Sequence, residues 1–283
     1  MPDRLPKVFS SLATFAVLAA VVYVGLVGIL YLFQRNLLYH PVGELPSPAE
    51  SGVPRMQVIS LETADGLRLT SWFAPPRNGN PMILYLCGNA GHIGARGFKA
   101  DALMRQGFGV LLLSYRGFGD NPGSPTEEGL YADGRAALAF LNREGYAAGR
   151  IVLYGESLGT GVAVHLAAEL AGQGTSAAAV ILETPYTSIT DVAASHYPFA
   201  PVRLLLKDPF DAESKIASVD APVLIFHAED DRVIPFRLAR RLFERARSPK
   251  QSKWYREGGH EGLFDAGADK VLIEFIKKYS VVN

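Results

Sequence analysis

Gly155-Glu156-Ser157-Leu158-Gly159 stands between the apolar run Ile151-Val152-Leu153-Tyr154 and the helix-like stretch Thr160 to Ala171. A serine so placed lies on the turn from a strand into a helix. The backbone is strained there, glycines two residues to either side let strand and helix approach without Cβ clashes, and the hydroxyl is left exposed. The pentapeptide alone is a weak signal: glycine and serine are common enough for it to arise by chance in roughly one chain in ten of this length. The surrounding sequence gives it weight.

Working outward, short apolar runs at Met82 to Leu86, Gly109 to Ser114, Ile151 to Tyr154, Ala178 to Glu183 and Val223 to His227 alternate with helix-like segments. The helices are expected at about Gly94 to Gln106, Thr126 to Glu144, Leu158 to Ala171, Phe236 to Ala246 and Phe264 to Tyr279. Such alternation predicts an α/β fold with a mainly parallel sheet covered on both faces. Ahead of it, Gln57 to Thr63 and Leu67 to Phe73 alternate around Asp65-Gly66, the pattern of an antiparallel hairpin. Between residues 185 and 221 the pattern loosens into prolines and the aromatics Tyr186, Tyr197, Phe199 and Phe210. That excursion is expected either to form a small cap or to pack as ordinary connecting helices.

The N-terminus differs in kind. Val8 to Phe33 holds no charged residue, which exceeds the roughly 20 helical residues needed to cross a 30 Å hydrocarbon core. It is read as one transmembrane helix; a cleaved signal peptide would have a shorter apolar region and a small-residue cleavage site, and a buried core helix is the other rival. Arg4 and Lys7 precede the run and only Arg35 follows closely, a bias favouring a cytoplasmic N-terminus with the rest of the chain outside the cytoplasm. The expected organisation is residues 1–40 as tail and anchor, 41–54 as a proline-containing linker, and 55–283 as one domain with the cap-like excursion. Zero formal net charge, with no basic cluster interleaved with aromatics, argues against nucleic acid as a partner. Cys87, the single cysteine, has no disulfide mate within the chain and reads as structural. Oligomeric state is open.

A serine hydroxyl is a poor nucleophile at neutral pH, so it needs a base within reach and an acid that fixes the base's tautomer. His260 fits best, in the glycine-rich loop Glu257-Gly258-Gly259-His260-Glu261-Gly262 after the strand-like Ser252 to Arg256. His40, His165, His196 and His227 lie in the linker, the serine's own helix, the excursion and a strand end, while His92 is a candidate for the site rim. For the acid, Glu229, Asp230 and Asp231 follow one strand and Glu183 another. The negative oxygen of a tetrahedral intermediate needs two backbone N–H donors. Leu158, at the start of the serine's helix, and Asn89, in the loop Cys87-Gly88-Asn89-Ala90-Gly91-His92, are the candidates. No metal-ligand spacing appears and no cofactor is implied.

These residues resemble the α/β-hydrolase superfamily, and within it the membrane-anchored Bem46/ABHD-type serine hydrolases, which are similar to the serine aminopeptidase S33 group. The likeness runs from Phe33 to Tyr279 through Phe33-Gln34-Arg35-Asn36-Leu37-Leu38-Tyr39-His40-Pro41, Gly88-Asn89-Ala90-Gly91, Tyr115-Arg116-Gly117-Phe118-Gly119, Gly123-Ser124-Pro125-Thr126, the elbow, and Gly259-His260. The segment Val223 to Pro235 resembles the family's strand followed by Gly-x-x-Asp-x-x-Val-Pro, which implies Asp231 as the acid. Two positions depart from the pattern: Cys87 stands where the family has histidine, and Ala228 where it has glycine. The resemblance implies a catalytic Ser157, Asp231 and His260 and an acyl-enzyme route, with an ester or thioester of a lipid-like acyl group as substrate. A serine peptidase of the aminopeptidase type, or a non-catalytic tethered scaffold, are the rival expectations.

Overall fold

The computed structural model describes residues 4–77, 79–247 and 249–280, with side chains from residue 12 onward. The outer bounds expected for the tail (residue 1) and for the domain (residue 283), and the side chains of Arg4 and Lys7 behind the charge bias, lie outside the described residues.

The chain opens with a long helix, α1 (Arg4–Leu38), whose apolar part Leu12–Leu38 has a mean hydropathy of 2.5 and is long and apolar enough to cross a membrane. A two-residue strand β1 (His40–Pro41) follows and pairs in parallel with another, β5 (Ala90–Gly91). Residues 41–54 then cross the surface in close contact with the body of the fold: Val53 is buried, and a Cβ on Gly97 would come within 2.1 Å of the Ser51 carbonyl oxygen.

The main sheet has eight strands: β2 (Gln57–Glu62), β3 (Arg68–Ala74), β4 (Met82–Leu86), β6 (Gly109–Leu113), β7 (Ile151–Glu156), β8 (Ala179–Glu183), β9 (Val223–Ala228) and β10 (Lys250–Tyr255). Their spatial order is β10-β9-β8-β7-β4-β6-β3-β2. The β2–β3 hairpin and the β3–β6 pair are antiparallel, and every other pairing is parallel. The inner strands β4, β6, β7, β8 and β9 are almost wholly buried, which is why they read as unbroken apolar runs rather than as alternation. The outer β2 and β10 are exposed on one face and carry the mixed pattern of half-buried strands.

Helices α2 (Gly97–Arg105), α3 (Glu127–Arg143), α4 (Leu158–Gly172), α8 (Phe236–Arg245) and α9 (Ala268–Ser280) cover the faces. The sheet and its helices have the α/β-hydrolase architecture expected from the sequence. The last helix begins at Ala268 rather than Phe264, because residues 260–267 form turns closed by Gly267 at φ 86°. Its apolar periodicity simply runs on through that break, with Leu263 buried ahead of it. Between β8 and β9 stand three short helices, α5 (Ile189–His196), α6 (Val202–Leu205) and α7 (Glu213–Ile216). Helix α7 packs against α4 and α8, while α5 and α6 pack on each other and stand beside the C-terminal half of α1.

Candidate active site

Ser157 follows β7 and caps the N-terminus of α4 with φ 51° and ψ −117°, a conformation that non-glycine residues seldom adopt. The flanking glycines make this turn possible. A Cβ on Gly159 would lie 2.0 Å from the Leu86 carbonyl oxygen of β4, and one on Gly155 would lie 2.5 Å from the Gly159 carbonyl oxygen. The spacing of the pentapeptide therefore records how closely α4 presses on β4 and β7.

Ser157 Oγ is 2.9 Å from His260 Nε2, and His260 Nδ1 is 2.8 Å from Asp231 Oδ2. The structure thus brings together the serine, the histidine and one of the candidate acids, from three loops at the C-terminal edge of the parallel strands. Burial pushes the Asp231 carboxyl up, but the hydrogen bond and charge interaction with His260 and the backbone donors outweigh it, leaving the group below its usual range. Its other oxygen, Oδ1, accepts from the N–H groups of Val233 at 2.7 Å and Ile234 at 2.9 Å. An ionised carboxylate can only accept, so His260 Nδ1 carries the proton facing Asp231. In the neutral ring that leaves Nε2 free to accept from the Ser157 hydroxyl.

Two of the rival carboxylates, Asp230 and Glu183, have other partners. Asp230 Oδ1 accepts from the Gly259 N–H at 2.8 Å and so fixes the loop that carries His260. Glu183 receives Lys99 Nζ at 2.8 Å and the Tyr154 hydroxyl at 2.6 Å. Glu156, inside the elbow, joins the same buried cluster through Arg96 Nη2 at 2.7 Å, Lys99 Nζ at 3.2 Å and the Tyr85 hydroxyl. Burial pushes the Glu156 carboxyl up, but Lys99 and Arg96 together hold it well below the usual carboxylate range.

The loop after β4 lies beside Ser157: a Cβ on Gly88 would sit 3.5 Å from the Ser157 Cβ. Asn89 and Leu158 line the same cavity as Ser157, and Leu158 is the first residue of α4, where backbone N–H groups have no partner within the helix. The loop is braced without a histidine at position 87. Asn89 Nδ2 donates to the Leu38 carbonyl at 2.6 Å, the His40 N–H donates to the Asn89 carbonyl at 2.8 Å, and Arg96 Nη1 donates to the Ala90 carbonyl at 3.2 Å. Cys87 is buried, and burial pushes its thiol up to about 12, with Glu156 adding to the effect and Arg96 opposing it. Ala228 is the last residue of β9, where a Cβ is ordinary. His92 faces a separate, very small cavity beside Cys87 rather than the rim of the main one.

The main cavity has a volume of about 330 Å³. Val27, Leu30 and Tyr31 of α1 line it together with Val192 and His196 of α5. No Asp, Glu, Lys or Arg lines it among the described residues. His40, His196 and the α1 residues had no signal in the sequence that tied them to Ser157, since their proximity arises only when α1 docks against α5 and α6. No group of metal-ligating side chains occurs among the described residues.

A sequence model of the hydrolase family described as serine aminopeptidase, S33, matches residues 79–207 and 205–267. An uncharacterized protein of Mycobacterium tuberculosis is 39% identical over 268 residues, covering 93% of this chain and 92% of that protein. The lysophosphatidylserine lipase ABHD12 of Danio rerio is 31% identical over 242 residues, which cover 73% of this chain and 63% of that protein. Among solved structures, the Pyrococcus furiosus esterase Pf2001 superimposes with a TM-score of 0.70 at 15% identity, covering 86% of this chain and 98% of that one, a likeness of fold.

Proposed function

The chain belongs to the serine aminopeptidase S33 family of α/β-hydrolases and is of the ABHD type, and from that premise we propose that it is a membrane-anchored serine esterase or lipase acting on a lipid-like acyl ester or thioester. The observation that carries the proposal is His260, set between Asp231 at 2.8 Å and, at 2.9 Å, a Ser157 that lines a cavity free of Asp, Glu, Lys and Arg among the described residues.

In this reading the acyl carbonyl enters beside Ser157 with its oxygen toward the N–H groups of Asn89 and Leu158. His260 Nε2 takes the Ser157 proton as Oγ attacks, and the imidazolium is held by Asp231. The charge on the carbonyl oxygen is met by the two N–H groups and the start of α4. His260 then gives its proton to the leaving oxygen or sulfur, leaving an acyl-serine. Water, deprotonated by the same nitrogen, reverses the sequence and frees the acid. The strained backbone at Ser157 holds Oγ toward the cavity throughout.

Cavity chemistry supports an acyl ester over an aminopeptidase substrate. Recognition of a peptide's α-ammonium group calls for a carboxylate near the nucleophile, and the described lining has none. An apolar chain needs no such partner. In the same reading α1 is a single membrane span; a lysophospholipid lipase among the relatives fits a substrate that resides in the bilayer. The orientation favoured is the one with the N-terminus cytoplasmic.

The test is labelling of the membrane-bound protein by a fluorophosphonate probe, with Ser157→Ala as the comparison. Labelling of wild type, its loss in the variant, and a fall in ester turnover by several orders of magnitude with unchanged folding are expected. Folded wild-type protein that fails to label removes the serine-hydrolase reading.

A further inference from the structure

The excursion over Ser157 does not stand clear of α1 in solvent; it descends along it. At one level, Gln34 Nε2 donates to the Leu205 carbonyl at 3.2 Å and Gln34 Oε1 accepts from the Lys207 N–H at 2.7 Å, while Arg35 pairs with Asp208 at 2.7 Å. Eleven residues nearer the N-terminus of α1, the Tyr23 hydroxyl donates to the Phe199 carbonyl at 2.9 Å. At ~1.5 Å per residue these two levels are about 16 Å apart along the helix.

A hydrocarbon core of ~30 Å occupies about 20 residues of helix. Even if it begins directly after Lys7, it extends to Val27, so Tyr23 lies about 6 Å inside its boundary. Helical side chains lean toward the N-terminus, which carries the Tyr23 hydroxyl deeper still. The carbonyl of Phe199 must then lie at hydrocarbon depth.

The segment has the composition and bonding for that environment. From Tyr197 to Leu206 the sequence reads Tyr-Pro-Phe-Ala-Pro-Val-Arg-Leu-Leu-Leu, with Leu204 85% exposed and Phe199 51% exposed. Its one charged residue, Arg203, reaches back to Asp191 of α5 at 2.7 Å. Lys207, at the shallower level, lies over the Tyr31 ring at 4.3 Å. Backbone polar groups in lipid must find partners within the protein. Two of these residues are prolines without an N–H, and the Tyr197, Ala200, Val202 and Leu204 N–H groups donate to carbonyls within residues 193–201.

We infer that residues 197–206 are immersed in the same membrane leaflet as the end of α1, and that the cavity over Ser157 opens between α1 and this segment onto the bilayer, so that an acyl chain enters sideways without crossing water. The inference rests on the reading of α1 as a membrane span. Val27 of α1 and Tyr197 and Ala200 of the excursion all line the cavity and flank in sequence the Tyr23–Phe199 contact, which puts this part of the lining near lipid depth. The partner is the hydrocarbon of the bilayer itself.

The test uses the full chain in phosphatidylcholine vesicles, with a bimane label on Leu204→Cys, on Phe199→Cys, and on the exposed Glu144→Cys as reference. The labels are placed in a Cys87→Ser background, since Cys87 is the single native cysteine. Labels at 204 and 199 are expected to be quenched by phosphatidylcholine spin-labelled in the acyl chain and shielded severalfold from aqueous iodide, with the reverse at 144. Iodide quenching at 204 and 199 equal to that at 144, in protein that resists carbonate extraction, overturns the inference while leaving the span intact. Release by carbonate overturns both. A second arm compares wild type with Phe199→Asp/Leu204→Asp, neither position lining the cavity. Hydrolysis of 4-nitrophenyl butyrate in detergent is expected to be unchanged, and hydrolysis of 4-nitrophenyl palmitate carried in vesicles to fall about tenfold. Equal retention of both activities counts against sideways entry.

Discussion

Asn89 Nδ2 donates to the main-chain carbonyl of Leu38 at 2.6 Å, joining the last turn of the apolar helix to the loop that faces Ser157. Leu38 lies in the final turn of α1, where carbonyls have no partner within the helix, so the side-chain amide completes the helix end. The β1–β5 pairing, His40 to Ala90 and Pro41 to Gly91, continues the same joint. Residue 89 thus lines the cavity while its side chain holds α1, and in the proposed reaction its backbone N–H is the group that meets the carbonyl oxygen. The helix that would tether the protein is in this way also structurally part of the proposed site.

Asn89→Ala keeps the backbone N–H and deletes the joint. We expect a stability loss of about 1 kcal/mol, or about 2–4 °C in Tm, from the lost hydrogen bond. Turnover should fall by at least about tenfold, short of the 10²–10³ that complete removal of an oxyanion donor costs, because the N–H remains but is less well fixed. A variant with wild-type kcat would show that the joint does not set the loop's geometry. Steady-state kinetics and thermal unfolding check both parts.

Glu156 offers a test of the elbow's foundation. Its carboxylate neutralises Arg96 and part of the charge on Lys99, all with little solvent access. Glu156→Gln is close to isosteric but leaves buried cations short of a partner, which costs about 3–5 kcal/mol when a buried pair is broken. At this domain size that corresponds to a Tm fall on the order of 10 °C. Urea unfolding with an unchanged slope would assign the effect to the native state; a change under 1 kcal/mol would mean that Glu183 alone suffices for Lys99.

Much of this arrangement was legible because it is written in local constraints. The glycines at 155 and 159 are forced by contacts of their own backbone with β4 and α4, and the buried parallel strands show as apolar runs because water reaches neither face. Asp231 could not be separated from Asp230 by residue pattern; the family register pointed to it, and in the structure Asp230 instead binds the Gly259 N–H. What the pattern could not express is the docking of α1 on α5 and α6. Tyr23 and Phe199 are 176 residues apart, and their contact depends on the tertiary path rather than on any periodicity. For the same reason His40 and His196 read as linker and excursion residues, although both line the cavity.

Leu30 tests whether α1 is a wall or only a leash. It lines the cavity, so Leu30→Trp should fill volume that a long acyl chain needs. The ratio of kcat/KM for 4-nitrophenyl decanoate to that for the acetate is expected to drop by about tenfold, within the range by which single methylene-sized changes discriminate substrates. If α1 only tethers the domain, the ratio will not move.

Asp231→Asn examines the acid in two independent ways. An amide can donate to His260 Nδ1 and so favour the tautomer whose Nε2 bears the proton, which cannot accept from Ser157. Turnover should then fall by about 10³–10⁴ with the fold retained. The second reading is pH. Because the folded-state group titrates below its ordinary value, the unfolded chain binds the proton more tightly, and the carboxylate's contribution to stability is complete above roughly pH 4. As pH falls through the lowered folded value, that contribution is lost. The stability difference between wild type and Asp231→Asn should therefore shrink as pH falls below about pH 4. Chemical denaturation below about pH 4 measures it; a difference that grows there would mean that burial, not His260 and the backbone donors, governs the Asp231 carboxyl.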